Sequence, residues 1–429
     1  MPVRRIVVLL PLILLTGCTW PSNDGEPRVL VYRGSDEDAS SQLYPPDDVN
    51  KRLSDPPKLL SDAQLQDGWI ALFDGQTLFG WTANSETDWS VVDGAIVSKP
   101  GTPGLLLTTT GFQDYELKCD VWLEQGGNSG LFLRTVTHPA GAVDGCLEFN
   151  LCDSHAEFPT GSLVARVKAS ESVTVEGDWH AVELVVQGEQ ILAKIDEKTV
   201  LDMTSPDFVK TGGDRIGLQQ NGGEVRFRNV FLKPLGLEPL FDGTSHAGWK
   251  PVPGSKGEIS ATGETIHITG GPGFLETERE FDDFVLQFEA KLNAKDVNSG
   301  LFFRAMKGTE ETPSNGYELQ LQNTVTDGDR TKPADYGDGF GTGAIFRRQA
   351  ARYVNASDEK WFAVTLVAER NHFASWVNGL QVTDFVDERK PNPNPRQGRR
   401  DEAGHLSFQG HDPKTDASFR NVRIEKRTE

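Results

Sequence analysis

The chain has 429 residues, which is more than one ordinary hydrophobic core accommodates and is enough for two domains of about 150–200 residues each. Its formal net charge of −20 repels phosphate backbones and therefore excludes general nucleic-acid binding as the main function. The apolar fraction of 37% and the charged fraction of 25% are ordinary for a globular protein, which excludes wholesale disorder.

The first predicted element is an export signal. Arg4 and Arg5 precede an apolar run over residues 6–15, which is too short to span a bilayer but suits a signal peptide. Small residues stand immediately before Cys18, an ending that resembles the lipobox of bacterial lipoproteins. We therefore predict a lipoprotein signal over residues 1–18, with lipidation at Cys18 as the only attachment to a membrane. The expected location is the periplasmic or outer-membrane face of the cell envelope. The alternative is an ordinary signal peptide that contains a cysteine.

The next segment, residues 19–65, is rich in proline, serine and aspartate and has little periodicity. Such a composition favours a flexible connection over a packed core. We therefore predict a disordered tether that holds the folded part away from a membrane.

Three further cysteines, Cys119, Cys146 and Cys152, are an odd number for an oxidising compartment. They can form at most one disulfide, and the sequence does not say which. No cysteine pair or cysteine–histidine cluster has metal-ligand spacing, so a structural zinc site is not expected.

Beyond residue 65 the chain contains two copies of one unit. Six motifs of the first half recur in the same order in the second half, at a period of about 170–190 residues, too long for a solenoid. The matching pairs are Ala71–Gly75 with Pro239–Gly243, Asn128–Arg134 with Asn298–Arg304, Cys146–Asn150 with Tyr317–Gln320, Thr160–Ser162 with Thr342–Ala344, Trp179–Leu184 with Trp361–Leu366, and Phe227–Val230 with Phe419–Val422. The sequence therefore predicts two tandem domains, over residues 66–234 and 237–427.

Each copy is dominated by strand signals. Segments such as 284–290, 317–322 and 182–186 alternate between apolar and polar residues or run apolar over strand lengths. Asp-Gly, Asn-Gly and Gly-Gly steps separate them at hairpin spacing, and no stretch has a convincing amphipathic helical pattern. An all-β fold follows, with a two-sheet sandwich or jelly roll in each repeat.

Several strands of the second repeat carry one polar face, because residues two apart in a strand share a face. The sets are Glu318, Gln320 and Gln322; Phe302 and Arg304; and Ser407, Gln409 and His411. The simple interpretation is the solvated side of a half-buried sheet. Amides with an arginine, a histidine and aromatic residues favour instead a surface for neutral polyhydroxyl ligands.

These motifs together resemble one known family. In the second repeat they are Leu-Phe-Asp-Gly, Asn-Ser-Gly-Leu-Phe-Phe-Arg, Gly-Tyr-Glu-Leu-Gln, Gly-Thr-Gly-Ala-Ile, Trp-Val-Asn-Gly, Phe-Gln-Gly-His-Asp and Ser-Phe-Arg-Asn-Val. Their order resembles the 3-keto-disaccharide hydrolase domain family, also described as 3-keto-glucoside 1,2-lyase/2-hydroxy-glucal hydratase. The resemblance covers both repeats and implies two tandem concanavalin-like jelly-roll sandwiches, in a secreted or lipid-anchored protein that acts on oxidised sugars.

The chemistry that the resemblance implies starts from a ketone at C3 of a glycoside. The ketone acidifies the C2 proton, the resulting enolate expels the aglycone from C1, and water adds to the glycal. This route needs a base, a group that stabilises the enolate oxygen, and a proton donor for the leaving group. We therefore expect a 3-keto-glycoside hydrolase or lyase without a cofactor, whose substrate is made by a partner oxidase.

The hypothesis for the second repeat assigns a role to each polar residue. Glu318 or His411 is the base or acid, and Arg304 neutralises the enolate oxygen. The predicted sugar-binding residues of the second repeat are Asn298, Gln320, Gln409 and Trp376. Those of the first repeat are Asn128, Arg134, Glu148 and Gln219, which match Asn298, Arg304, Glu318 and Gln409. The structural alternatives are an ion pair between Arg304 and Glu318, a turn ordered by His411, a plain turn after Asn298, and a core position for Trp376.

The first repeat departs from this pattern. Where the second repeat reads Gln409-Gly-His-Asp412, the first reads Gln219-Gln-Asn-Gly222 and lacks the histidine. If His411 is catalytic, the main activity lies in the second domain, and the first binds sugar or supports its neighbour. Alternatively, the two domains differ in substrate.

Two further expectations concern metal and function. Asp327, Asp329, Asp335 and Asp338 lie in one glycine-rich stretch whose oxygen ligands could hold Ca²⁺, although the spacing does not match an EF-hand and a solvated acidic loop is the simpler interpretation. The alternative functions are a non-catalytic pair of carbohydrate-binding modules and a surface scaffold that binds other proteins.

Overall fold

The computed structural model describes residues 55–313, 315–334 and 339–427. The predicted signal over residues 1–18 and the lipidation site Cys18 lie outside the described residues and stay predictions. In the part of the chain that is described, no helix is both long enough and apolar enough to span a membrane.

The first repeat is built from short strands that follow one another along the chain. Its strands are β1 (Ile70–Ala71), β2 (Trp81–Ala83), β3 (Trp89–Val92), β4 (Ala95–Ser98), β5 (Gly104–Thr108), β6 (Tyr115–Leu123), β7 (Ser129–Thr135), β8 (Leu147–Leu151), β9 (Trp179–Gln187), β10 (Gln190–Ile195), β11 (Lys198–Thr204), β12 (Arg215–Gln220) and β13 (Val225–Pro234). A 3₁₀ turn spans Pro206–Val209.

The second repeat has the same succession of elements. Its strands are β14 (Glu238–Pro239), β15 (Trp249–Pro251), β16 (Glu258–Thr262), β17 (Thr265–Thr269), β18 (Gly273–Thr277), β19 (Phe284–Leu292), β20 (Ser299–Met306), β21 (Asn315–Leu321), β22 (Phe362–Glu369), β23 (His372–Val377), β24 (Leu380–Val386), β25 (His405–Gly410) and β26 (Asp416–Lys426). A 3₁₀ turn spans Thr326–Gly328.

Each repeat forms a large sheet and a small sheet with the same strand order. In the first repeat the large sheet runs β11-β10-β9-β6-β13-β4-β3 with β1 paired to β13, and the small sheet runs β2-β5-β12-β7-β8. In the second repeat the large sheet, read in the same direction, runs β24-β23-β22-β19-β26-β17-β16 with β14 paired to β26. Its small sheet runs β15-β18-β25-β20-β21. The neighbouring strands are antiparallel, so the predicted all-β fold of two jelly-roll sandwiches is confirmed.

The core of each sandwich comes from the apolar side of alternating strands. Along β6, Tyr115, Leu117 and Cys119 are buried while the residues between them are half-exposed. On β21, Leu319 and Leu321 enter the core of the second repeat, which leaves the residues between them on the outer face of the small sheet.

The first repeat covers the outer face of the large sheet of the second repeat. Val285, Val367 and Trp376 of that sheet are buried in the same apolar cluster as the core of the first repeat. The Trp376 indole N–H donates to the carbonyl of Ala71 at 3.0 Å, and the Ala71 N–H donates to the carbonyl of Gly379 at 2.8 Å. The two repeats therefore share a continuous interface.

Packed structure is present before the predicted boundary at residue 66. Helix α1 (Asp62–Asp67) starts with a capping box in which Ser61 and Gln64 bond reciprocally to each other's backbone N–H. Leu60, just before it, is 3% exposed. The predicted disordered tether is therefore wrong for its last residues, and residues 19–54 lie outside the described part.

The cysteines Cys119, Cys146 and Cys152 are all buried, and none of them forms a disulfide with another described residue. Burial strongly raises the pKa of the Cys119 thiol, because the thiolate would have no water around it. These thiols act as small apolar side chains in the core.

Candidate active-site cleft

A cleft of about 450 Å³ lies over the outer face of the small sheet in the second repeat. We call it the first cleft. Its lining residues are Asn298, Glu318, Gln320, Phe340, Phe346, Arg347, Arg396, Gln409 and His411. Five residues predicted for the site, namely Asn298, Glu318, Gln320, Gln409 and His411, are thus brought together, on or next to the three neighbouring strands β20, β21 and β25.

Gly300 forms the floor of this cleft. It lies on β20 between Gln320 on β21 and Gln409 on β25, its direct partners across the sheet. A Cβ atom at position 300 would lie 3.0 Å from Oε1 of Glu318 and 3.3 Å from Oε1 of Gln409. Only glycine leaves these polar groups room over the strand, so the Asn-Ser-Gly motif has a steric reason at its last position.

The amide side chains of the cleft are buried and oriented. Gln320 Nε2 donates to Oδ1 of Asn298 at 3.3 Å. Oε1 of Gln409 is buried and has no hydrogen-bond donor among the described residues. Because a buried carbonyl oxygen without a donor costs free energy, Gln409 is poised for a hydroxyl donor from a ligand.

The carboxylate of the cleft is paired with a guanidinium. Glu318 is only 6% exposed, and its Oε2 lies 3.3 Å from Nη2 of Arg396. The same guanidinium lies over the ring of Phe302 at 5.0 Å from the centroid. Since Arg396 contacts both a carboxylate and an aromatic face, its charge is held at the mouth of the cleft.

His411 is held by the residue that follows it. Its Nδ1 lies 3.0 Å from Oδ2 of Asp412, and about a third of its side chain is exposed. Burial disfavours the charged carboxylate, but the hydrogen bonds from His411 and from the Lys414 N–H hold the pKa of Asp412 below its usual range. The ionised Asp412 places the N–H on Nδ1, so Nε2 carries the lone pair in the neutral imidazole.

The segment that carries Arg396 is anchored by a buried ion pair. Arg389 donates two hydrogen bonds to the carboxylate of Asp387, at 2.9 and 2.7 Å, and also donates to the carbonyls of Pro395 and Gly398. The Tyr317 hydroxyl donates to Asp387 at 2.7 Å. Burial, together with that hydrogen bond, raises the pKa of Tyr317 to about 12. The tyrosine therefore stays a donor at neutral pH.

The prediction for Arg304 is wrong. Strand β20 has a bulge here, with Arg304 at φ +46°, so Phe302 and Arg304 do not share a face. The Arg304 side chain is 0% exposed and points toward the large sheet, where it binds Asp283 at 2.6 Å and the carbonyls of Asp282 and Arg400. It joins the two sheets and does not reach the cleft.

Arg134 has the same structural role in the first repeat. Its φ is +45°, its side chain is buried, and it binds Asp114 at 2.7 Å and the carbonyls of Gln113 and Phe208. The prediction that it binds substrate is therefore wrong. Trp376, predicted as a stacking surface, is also wrong, because it is 1% exposed and lies in the interface between the repeats.

The first repeat has a different arrangement at the equivalent face. Glu148 and Gln219 are each 1% exposed and bond to one another at 3.2 Å. The Asn150 amide donates to the carbonyl of Phe158 at 2.5 Å. Asn128, before β7, forms a backbone bridge with Gly222. The Gln219 amide N–H is thus used within the protein, whereas its Oε1, like that of Gln409, is buried with no donor among the described residues.

The two arginines that line the first cleft, Arg347 and Arg396, have no counterparts there. Ala165 takes the place of Arg347, since the two have matching left-handed φ values of +55° and +59° within matching turns. The segment with Arg396 lies between β24 and β25, where the first repeat has only the shorter link from β11 to β12. Asn221 stands where the second repeat has His411.

The sequence analysis did not predict four residues that line the first cleft, namely Arg347, Arg396, Phe340 and Phe346. Comparison of the aligned repeats contains the signal for Arg347, because an arginine replaces an alanine at the end of a shared motif. Arg396 has no such signal, since its approach to Glu318 depends on how an unmatched segment folds back over the sheet.

Among the described residues no three or more His, Cys, Asp or Glu side chains are grouped to hold a metal ion. Asp335 and Asp338 of the predicted calcium loop lie outside them. Hydrogen bonds from Lys332 and Thr331 lower the pKa of Asp329 to about 2, so protein donors already surround its carboxylate.

The fold and the cleft define a jelly-roll sandwich with a polar cleft over the small sheet. The chain belongs to the 3-keto-alpha-glucoside-1,2-lyase-like domain family, whose model matches residues 68–233 and again residues 236–425. The predicted family is confirmed, and membership supports a role as a hydrolase or lyase.

Individual relatives are distant. A protein of Bacteroides thetaiotaomicron named 3-keto-disaccharide hydrolase is 23% identical over 39% of this chain and 79% of its own length. A Parabacteroides distasonis structure, named as a candidate glycosyl hydrolase, is 20% identical with a TM-score of 0.37, covering 42% of this chain and 99% of that one. A Bacillus subtilis protein of galectin-like fold is 13% identical with a TM-score of 0.32, covering 45% and 95%.

Proposed function

We propose that the second repeat cleaves 3-keto-glycosides by elimination and hydration in the first cleft. The observation that carries the proposal is the convergence of an ion-paired carboxylate, two guanidiniums, a histidine and three amides on a glycine floor. The family's description and the name of the Bacteroides relative support a 3-keto sugar as the substrate.

Glu318 is the proposed base of the elimination. Its carboxylate takes the proton from C2, the electron pair forms the enolate of the C3 ketone, and the C1–O bond breaks as the aglycone leaves. The neutral Glu318 returns the proton to the departing oxygen. Because the C2–H and C1–O bonds are neighbours, one carboxylate can reach both positions.

Arg396 and Arg347 are the proposed stabilisers of the enolate oxygen. In the resting site Arg396 is paired with Glu318. When Glu318 accepts the proton, the negative charge moves from the carboxylate to the enolate oxygen, and the Arg396 charge can then bind that oxygen. Fixed cations aimed at a developing oxyanion are a large source of rate enhancement.

His411 is placed in the hydration step. With Nδ1 bonded to Asp412, Nε2 can take a proton from water while the water oxygen bonds to C1 of the glycal. The protonated imidazole then supplies the proton to C2. Asn298, Gln320 and Gln409 hold the sugar hydroxyls. The first repeat lacks the histidine and both guanidiniums, so we assign it no catalysis.

The test uses the purified protein with a 3-keto-glucoside of 4-nitrophenol and, in parallel, the parent glucoside. We expect nitrophenol release only from the 3-keto compound. Glu318→Gln should abolish release, whereas His411→Asn should still release nitrophenol and accumulate the 2-hydroxy-glucal, detected by mass spectrometry and ultraviolet absorbance. Glu148→Gln in the first repeat is the matched control and should keep full activity. Equal turnover by wild type and Glu318→Gln would remove Glu318 from the mechanism.

The main alternative is a carbohydrate-binding protein without catalysis. It is favoured by the face of amides and aromatic residues, which would bind a sugar without any proton transfer. Tight binding of the parent glucoside with no turnover of the 3-keto compound would support this alternative.

A further inference from the structure

A second cleft, of about 230 Å³, adjoins the first one. Glu318, Phe346, Arg347 and Arg396 line both clefts, whereas Arg348 lines only the second. The boundary between the clefts is therefore formed by these four shared residues, among them the ion pair of Glu318 and Arg396. Under the proposed function the C1–O bond lies at this pair, so an aglycone extends from the first cleft into the second.

The second cleft is strongly cationic. Three arginines, Arg347, Arg348 and Arg396, line it with one carboxylate, that of Glu318. Glu318 is already paired with Arg396. The nearby Asp387 is occupied by Arg389. On a chain with a net charge of −20, such a local excess of positive charge is unusual.

Two of these cations have no carboxylate partner in the described part of the chain. The Arg348 guanidinium donates only to backbone carbonyls, those of Arg347 at 2.9 Å and Arg396 at 3.0 Å. Burial and the neighbouring Arg389 charge lower the pKa of Arg348, and the more weakly acting Asp387 opposes them. Arg347 is exposed, and its guanidinium lies 5.3 Å from the centroid of the Phe346 ring.

We propose that the second cleft binds the aglycone and selects aglycones with an anionic oxygen group, a carboxylate, sulfonate or phosphate. Guanidiniums bind such groups through paired, charge-assisted hydrogen bonds. Phe346 and Pro395 give the cleft apolar surface for a single ring. The proposal rests on the proposed function for the identity of the ligand as an aglycone.

The binding test uses full-length protein and unoxidised phenyl glucosides that differ only at the para position. Isothermal titration compares the 4-carboxyphenyl compound with its neutral 4-carbamoylphenyl isostere, and 4-sulfophenyl and 4-phosphophenyl compounds distinguish the anionic groups. We expect the carboxylate to bind roughly tenfold more tightly than the amide at low salt. This preference should shrink at about 0.5 M salt, because salt screens partly exposed charges. Equal affinities, or no binding of any anionic compound, would overturn the proposal.

Variants assign the preference to the cleft. Arg348→Gln should remove most of the preference, Arg348→Lys should retain part of it, and Arg166→Gln, the equivalent change in the first repeat, should leave it unchanged. If Arg166→Gln alone abolished the preference, the anion site would lie in the first repeat and the proposal would be wrong.

A kinetic arm separates this proposal from the proposed function. If the 3-keto forms are cleaved with equal kcat/KM for the carboxylate and amide aglycones, the second cleft does not select aglycones. If neither is cleaved but the carboxylate still binds more tightly and depends on Arg348, the anionic preference stands and the proposed reaction fails.

Discussion

The guanidinium of Arg396 lies 3.3 Å from the carboxylate of Glu318, from a position 78 residues further along the chain. The link between β24 and β25 folds back over the small sheet to make this contact, and the first repeat has no such link. This pair therefore distinguishes the second repeat from its copy.

Under the proposed mechanism, Arg396→Gln removes the cation that stabilises the enolate oxygen and should lower kcat/KM for a 3-keto-glucoside by about 10²–10³-fold. Steady-state kinetics with a nitrophenyl substrate measures the effect. Arg399→Gln is the control, since Arg399 is on the same segment but binds Asp401 outside both clefts. A similar loss in both variants would indicate a disturbed segment and contradict the role of Arg396.

Gly300→Ala should impair catalysis by crowding. The added methyl group would lie 3.0 Å from Glu318 and 3.3 Å from Gln409, so both must shift. Gly130→Ala makes the equivalent change in the first repeat, where the nearest atoms are 3.1 and 3.3 Å away. We expect similar losses of melting temperature in both variants, but a loss of activity, roughly tenfold or more, only in Gly300→Ala. Full activity of Gly300→Ala would mean that catalysis does not require the space above Gly300.

Arg304→Gln should destabilise the protein by about 3–5 kcal/mol, because it removes the buried guanidinium that pairs with Asp283 and donates to the carbonyls of Asp282 and Arg400. Urea unfolding monitored by tryptophan fluorescence measures the change. Arg347→Gln is the comparison, since an exposed arginine should alter stability by less than about 0.5 kcal/mol. A stable Arg304→Gln variant that had lost only activity would return Arg304 to the catalytic site.

Acid should weaken the anchor of the Arg396 segment. Burial disfavours the charge on Asp387, yet hydrogen bonds from Arg389 and Tyr317 hold its pKa below the usual value. Since the folded pKa is lowered, its stabilising contribution is present above about pH 4 and is lost as the pH falls through the folded value. The unfolding free energies of wild type and Asp387→Asn should therefore differ by a constant amount from pH 5 to 7 and converge at lower pH. Parallel curves down to pH 3 would contradict this.

Much of the fold could be predicted from the sequence, because alternating patterns and an internal repeat report directly on strands and duplication. The polar face of β21 was predictable for the same reason, since Glu318 and Gln320 alternate with the core residues Leu319 and Leu321. These features depend only on neighbouring residues.

Alternation failed at Arg304, because a bulge with a left-handed residue changes which face the next side chain takes. The prediction that Trp376 is a stacking surface was wrong for a different reason. The outer face of its sheet is covered by the other repeat, and a single-strand pattern does not reveal what packs against it. Interactions between distant parts of the chain decided both positions.

Val285, Val367 and Trp376 are buried beneath the first repeat, which gives that copy a structural role that does not depend on catalysis. A second repeat produced without the first one would expose this apolar surface to water and would tend to aggregate. Deleting the first repeat would therefore cost the stability of the second one, whether or not the first repeat carries any chemistry.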